Sequence, residues 1–299
     1  MQDVVIHTNE RVHAAEALFR VERLPRERFQ LADDLWVGRL DDEVAQRVFD
    51  SCTPPGSWVN PPVRPFGQLY AFVREPAPPD PIYTWDSDKR LLTCVALSRL
   101  VHPTSLSFCY AARLIYGSDR VLREVVPGPV KGHGADVFLT DEDGRDWLTT
   151  DELEILRDLI RLLTPADLPP RIWRAFWYHE YAVRTFYADV RCTLICTALE
   201  ALVHTDRSHS TQQFATRVPR LAAELEIEFN EDNAEIAYDL RSQLSHGQGV
   251  QNLTEDDRRI YTSMETILQQ GLVRAIRDTN FAQTFSTPER IRDRWPLPR

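Results

Sequence analysis

Asn233-Ala-Glu-Ile-Ala-Tyr-Asp-Leu-Arg-Ser-Gln-Leu-Ser-His-Gly-Gln-Gly249 is the stretch on which the reading of the chain turns. Ala234, Ala237, Leu240 and Leu244 recur at helical spacing, and Gly247 and Gly249 supply a stop signal. Arg241 and His246 fall in the last turn, ~140° apart on an ideal helix, and a loosened final turn would let both face one cleft. An arginine that keeps its charge beside an imidazole that titrates near neutrality suits attack on a phosphodiester. The bland alternative is that both merely complement the negative end of the helix, where a cation contributes about 0.3–1 kcal/mol.

Upstream, Leu194-Ile-Cys-Thr-Ala-Leu-Glu-Ala-Leu-Val203 is apolar enough to be a central helix. Tyr238-Asp-Leu-Arg-Ser-Gln-Leu-Ser-His-Gly247 resembles the Arg-x4-6-His signature of HEPN domains, and the Ala-Leu-Glu-Ala-Leu segment is similar to a helix of their Apea-like branch. The resemblance covers about the last two fifths of the chain. It implies a helical bundle, often a dimer, with metal-independent RNA cleavage in many members and roles in antiviral defence or toxin systems. The position after the arginine, often Asn, Asp or His in active members, is Ser242 here. On this resemblance Arg241 and His246 are the expected catalytic pair, with Glu200, Ser242 and Ser245 in support.

Composition sets outer limits. At 299 residues and 43% hydrophobic, the chain is long enough for two cores. Its net charge of −10 does not advertise a nucleic-acid partner, so RNA would have to be held by a local concentration of arginine. The five cysteines are scattered without a Cys-x-x-Cys pair, which argues against a disulfide framework or zinc knuckle and is simplest as reduced thiols in the cytosol. Cys192 and Cys196 lie one turn apart without further ligands and read as core. The N-terminus lacks a signal-peptide pattern and no run reaches membrane-spanning length, so a cytoplasmic protein with no membrane partner is expected.

Residues 1–166 read as an α+β domain, 167–280 as an all-α, HEPN-type bundle of four to five helices, and 281–299 as a polar, lightly packed tail. In the first, Val4–Ile6, Leu35–Val37, Leu69–Val73, Leu106–Tyr110 and Val137–Leu139 are strand candidates separated by proline-rich breaks. Asp41–Ser51 and Lys89–Leu100 read as helices. So does Thr150–Leu163, with Thr150 able to cap it and Leu153, Leu156, Ile160 and Leu163 as its stripe. Helices are expected over 172–187, 192–203, 211–225, 231–245 and 256–276.

Cutting RNA without metal requires deprotonating the 2′-OH, stabilising charge at phosphorus and protonating the leaving 5′-oxygen. One Arg–His pair supplies one proton-transfer group, and two facing across a dimer axis supply two, leaving 2′,3′-cyclic phosphate and 5′-hydroxyl ends. The expectation is thus a homodimeric endoribonuclease without metal or cofactor, its first domain sensing a trigger or selecting the RNA. A non-catalytic HEPN-fold RNA- or protein-binding scaffold is the alternative. Glu200 needs a partner in its apolar helix, either Arg241 or Arg191. His204, Arg207 and His209 form a small basic cluster, read as a solvated loop or as an RNA contact. The Trp173, Phe176, Trp177, Tyr181 stripe reads as core or dimer interface.

Overall fold

The apolar runs around Leu35 and Leu69 each form a strand of a six-stranded sheet. The computed structural model describes residues 8–16, 28–52, 69–74, 89–102, 110–127, 147–163, 168–185, 187–245 and 253–298. The chain divides into two units, Met1–Ile160 and Arg161–Arg299, a few residues before the expected boundary at 166. The candidate strands Val4–Ile6 and Val137–Leu139, most of Leu106–Tyr110 and the proline-rich breaks lie outside the described residues.

The first unit is α+β. Its strands are β1 (Thr8–Glu16), β2 (Phe29–Ala32), β3 (Leu35–Arg39), β4 (Leu69–Arg74), β5 (Tyr110–Tyr116) and β6 (Leu122–Pro127), and its helices α1 (Asp42–Cys52), α2 (Lys89–Val101) and α3 (Thr150–Leu162). Strand order is β2-β3-β4-β1-β5-β6, and every neighbouring pair is antiparallel. Side chains alternate across a sheet, so Ala71, Val73, Ala112 and Leu114 share one face and pack with Ala45, Val48 and Cys52 of α1. The opposite face is covered too: Phe72 meets Trp147 edge-on at 5.8 Å, and Ala111 packs with Leu92 of α2. Arg47 reaches from α1 to the carbonyls of Leu122 and Arg123, at 2.6 and 2.8 Å, and fixes the edge strand. The helix α3 is capped by Thr149, not Thr150: Glu152 N–H donates to Thr149 Oγ1 while Thr149 N–H donates to the Glu152 carboxylate. Its buried stripe is Leu153, Leu156 and Leu159, so Leu159 takes the place expected for Ile160.

The second unit is helical, with α4 (Pro170–Val183), α5 (Ala188–Val203), α6 (Ser210–Glu224), α7 (Glu231–Ser245), α8 (Glu255–Arg277), α9 (Thr279–Gln283) and α10 (Pro288–Arg294). The apolar α5 is central and packs against α4, α6, α7 and α8. Reciprocal hydrogen bonds between Asn230 and Asn233 start α7, and Thr254 with Asp257 forms the capping box of α8. No helix among the described residues is long and apolar enough to cross a membrane.

The C-terminal segment is not a lightly packed tail. Phe281, Phe285, Ile291 and Trp295 are all buried, and Phe285 meets the rings of Phe281 and Trp295. Trp295 Nε1 donates to Glu224 at 2.9 Å, and Arg294 grips the same carboxylate with two nitrogens. Its scattered prolines and charges concealed four apolar residues that short helices bring to one side. Trp295→Ala should therefore lower unfolding stability by about 3–5 kcal/mol, measured by urea denaturation; an unchanged midpoint would restore the loose-tail reading.

Candidate functional site

Arg241 lies on α7 one turn beyond Tyr238, and Glu200 lies near the end of α5. Packing of α5 against α7 brings them together: Arg241 Nη1 donates to Glu200 Oε1 at 2.7 Å. Arg191, the other candidate partner for Glu200, is instead bonded to Glu265 at 2.5 Å. The Arg241 guanidinium lies 5.5 Å from the Tyr238 ring, and that ring packs against Phe214. The pair is partly shielded, with 28% of the Arg241 side chain and 14% of Glu200 accessible to solvent. Burial raises the pKa of the Glu200 carboxyl; Arg241 and a hydrogen bond from Tyr238 pull it back without cancelling the rise.

His246 lies outside the described residues, as do Gly247 and Gly249. Ser242 is exposed on α7, and Ser245 is the last residue of that helix. The described part of the expected site is therefore an arginine near the C-terminal end of α7 held by a partly shielded glutamate of α5.

Beside Glu200 an open cleft of about 620 Å³ runs between α4, the end of α5 and the turn that follows it. Glu200, His204 and Arg207 line it, whereas His209 is exposed at the start of α6, with the left-handed φ of 54°. Three further lining residues, Arg171, Arg174 and Tyr178 on α4, escaped the sequence reading. They recur at i, i+3 and i+7, on the face complementary to buried Ile172, Ala175, Phe176 and His179. That periodicity is present in the sequence beside the aromatic stripe. In that stripe Phe176 is buried and meets Trp173 and Trp177 edge-on, and Tyr181 is 54% exposed.

The turn has its own framework, also unread in the sequence. Gln213, fully buried on α6, accepts from Thr205 N–H and from Arg217, and its amide nitrogen donates to Asp206 Oδ1 and Ser208 O. From the opposite side Arg171 Nη1 donates to the carbonyls of Ala201 and His204, capping α5. His204 is thus fixed at the cleft wall with a buried Nε2 that has no hydrogen-bond partner among the described residues. Burial, and then the nearby Arg241, Arg217 and Arg171, push its pKa from 6.5 down to about 4, against a raising hydrogen bond with the Ser210 backbone. At neutral pH it is an uncharged imidazole. It cannot serve as a fixed phosphate cation.

Among the described residues no group of three or more His, Cys, Asp or Glu could hold a metal ion. Cys192 and Cys196 are buried in α5, with Cys196 Sγ 3.7 Å from Met264 Sδ. A hydrogen bond with Cys192, then burial, holds the Cys196 thiol well above the usual range, so it is inert packing. The chain matches no family model, and no curated protein or solved structure is significantly similar to it.

Two expectations follow from this geometry. Glu200→Ala should cost about 1–3 kcal/mol of unfolding stability, since it leaves a half-buried guanidinium without its acceptor. For His204 the folded state binds its proton more weakly than the unfolded chain does. Its contribution is complete above pH 6.5 and is lost as pH falls from 6.5 towards 4. Urea midpoints of the wild type should therefore fall more steeply than those of His204→Gln between pH 7 and pH 5. Parallel pH profiles would show that the ring is not held neutral by the fold.

Proposed function

We propose that the protein is a metal-independent endoribonuclease of HEPN type, cutting RNA to 2′,3′-cyclic phosphate and 5′-hydroxyl ends as a cytoplasmic homodimer in antiphage defence or a toxin system. The observation that carries the proposal is the Arg241–Glu200 pair: an always-charged guanidinium, oriented by a carboxylate on the central helix, at the end of the helix whose next residue is His246. In this mechanism Arg241 holds the non-bridging oxygens of the scissile phosphate and stabilises the charge that builds there. His246 moves the proton, its counterpart in the second protomer serving the opposite transfer. Glu200 is a positioning residue, with its carboxylate on one edge of the guanidinium so that the other can turn to the phosphate. The first unit senses the trigger or selects the RNA.

The same pair also favours a second reading. A guanidinium already bonded to a carboxylate steadies α5 against α7, and with the exposed Ser242 beside it this is what a non-catalytic RNA- or protein-binding scaffold would keep.

Cleavage of total RNA and tRNA in EDTA separates the two. Arg241→Ala and His246→Ala should each lower cleavage by at least ~100-fold without loss of helicity. Arg241→Lys should rescue poorly, because lysine lacks the planar fork that grips two oxygens. Intact cleavage by His246→Ala, activity that EDTA abolishes and Mg²⁺ restores, or no RNA cut by the wild type under any activating condition would end the enzyme reading.

A further inference from the structure

Several arginines of the helical unit are paired with carboxylates. Arg191 meets Glu265, Arg241 meets Glu200, Arg259 meets Asp256, Arg292 meets Glu289 and Arg294 meets Glu224. Such pairing is unsurprising in a chain with 45 acidic and 35 basic residues. The cleft between α4, α5 and the following turn departs from it. Arg174 on α4 and Arg207 on the turn are exposed and line the cleft from different segments, yet neither has an ion-pair partner among the described residues. Arg171 is one turn from Arg174; its Nη1 is committed to backbone carbonyls, which orient but do not neutralise it.

The two carboxylates that line the same cleft do not repair the imbalance. Glu200 is bonded to Arg241 at 2.7 Å. Asp206 is engaged by the backbone N–H and hydroxyl of Ser208 and by the Gln213 amide, which hold it in its own turn. Like charges crowd at the cleft as a result: after burial, Arg174 is the main influence lowering the pKa of the Arg171 guanidinium. An anion seated among the three arginines would relieve that repulsion. A phosphate suits them better than a carboxylate, since it offers oxygens to several guanidinium forks at once.

The space also speaks to size. A cleft of about 620 Å³ takes a nucleotide-sized group, and Tyr178, Thr197 and Thr205 add an aromatic ring and two hydroxyls to its wall. It is open to solvent, so a strand can enter and leave it, and Glu200 joins it to Arg241. We infer that this cleft is a phosphate-binding subsite for single-stranded RNA, with Arg171, Arg174 and Arg207 holding backbone phosphates of the segment flanking the one at Arg241. The choice of RNA as the source of the phosphate rests on the nuclease reading; the anion site does not.

Fluorescence anisotropy of a labelled single-stranded RNA in EDTA tests this, with the full chain carrying His246→Ala so that the probe survives. Arg174→Glu and Arg207→Glu, both surface substitutions, should each weaken binding roughly 10-fold across unrelated sequences, and the neutral Arg174→Ala should lower the salt slope by about one. Arg259→Glu makes the same change of net charge on α8 and should bind as its parent. Circular dichroism confirms that the variants fold. Unchanged affinity in the cleft variants, or a loss no greater than that of Arg259→Glu, overturns the subsite. If ATP, added as a mononucleotide probe, binds in the same cleft while the RNA does not, the strand assignment is overturned. Loss of RNA binding in the cleft variants of a protein that cuts no RNA would retain the subsite and remove the nuclease, whereas cleavage by cleft variants with undiminished RNA affinity would do the reverse.

Discussion

Arg217 is a buried cation with no carboxylate in contact with it among the described residues, and much of the helical unit is arranged around that fact. Its Nε donates to the carbonyl of Trp295, and its Nη1 to Val203 O, Thr205 Oγ1 and Gln213 Oε1. Only 1% of the residue is accessible, and burial is the chief influence lowering its pKa. A charge removed from water is tolerable only when nearby dipoles replace its hydration, and here they come from three separate places. The end of α5, the turn after it and the C-terminal segment must all be present for the guanidinium to be satisfied. One side chain therefore couples the packing of Trp295 to the shape of the cleft wall.

The Glu200–Arg241 pair works under a different constraint. It is shielded enough for geometry to matter and open enough for Arg241 to keep an accessible edge. Partly buried pairs of this kind bring modest net stability, because the desolvation of both ions offsets their attraction. Orientation is the larger return. Tyr238, itself backed by Phe214, confines the guanidinium on one side and the carboxylate confines it on another, so few of the rotamers open to a surface arginine remain. The same confinement serves a phosphate-binding arginine and an inert strut equally well, and the pair alone is consistent with both readings of the function.

The candidate site and the cleft beside it differ in how readily they could be read from the chain. Arg241 and Glu200 lie in patterned helices with local signals, and the apolar setting of Glu200 leaves Arg241 and Arg191 as its candidate partners. Of the cleft arginines only Arg207 stood out, in the basic cluster with His204 and His209; Arg171 and Arg174 had no such signal. Arg171 and Arg174 belong to α4 and Arg207 to a turn 33 positions after Arg174, and an exposed arginine on a helix face ordinarily means nothing more than solubility. What sets them apart is that they line one cleft from separate segments with no ion pair among the described residues, and that depends on how the helices pack.

The sequence by itself determined α4 to α8 of the second unit, but not the short α9 and α10, because periodicity and caps are properties of a few neighbouring residues. The helix expected over 231–245 is the one that forms. It also determined that the first unit combines strands with helices. Tertiary structure alone decided the rest. The central strand β1, Thr-Asn-Glu-Arg-Val-His-Ala-Ala-Glu, has little intrinsic strand preference and exists by pairing with β4 on one side and β5 on the other. Trp295 is core because α6 supplies a carboxylate for its indole N–H and an arginine for its carbonyl. His204, which reads as a solvated basic residue, is a neutral one because burial and three arginines distant in sequence oppose its protonation. In each case the decisive partner is far along the chain, and a local pattern holds no record of it.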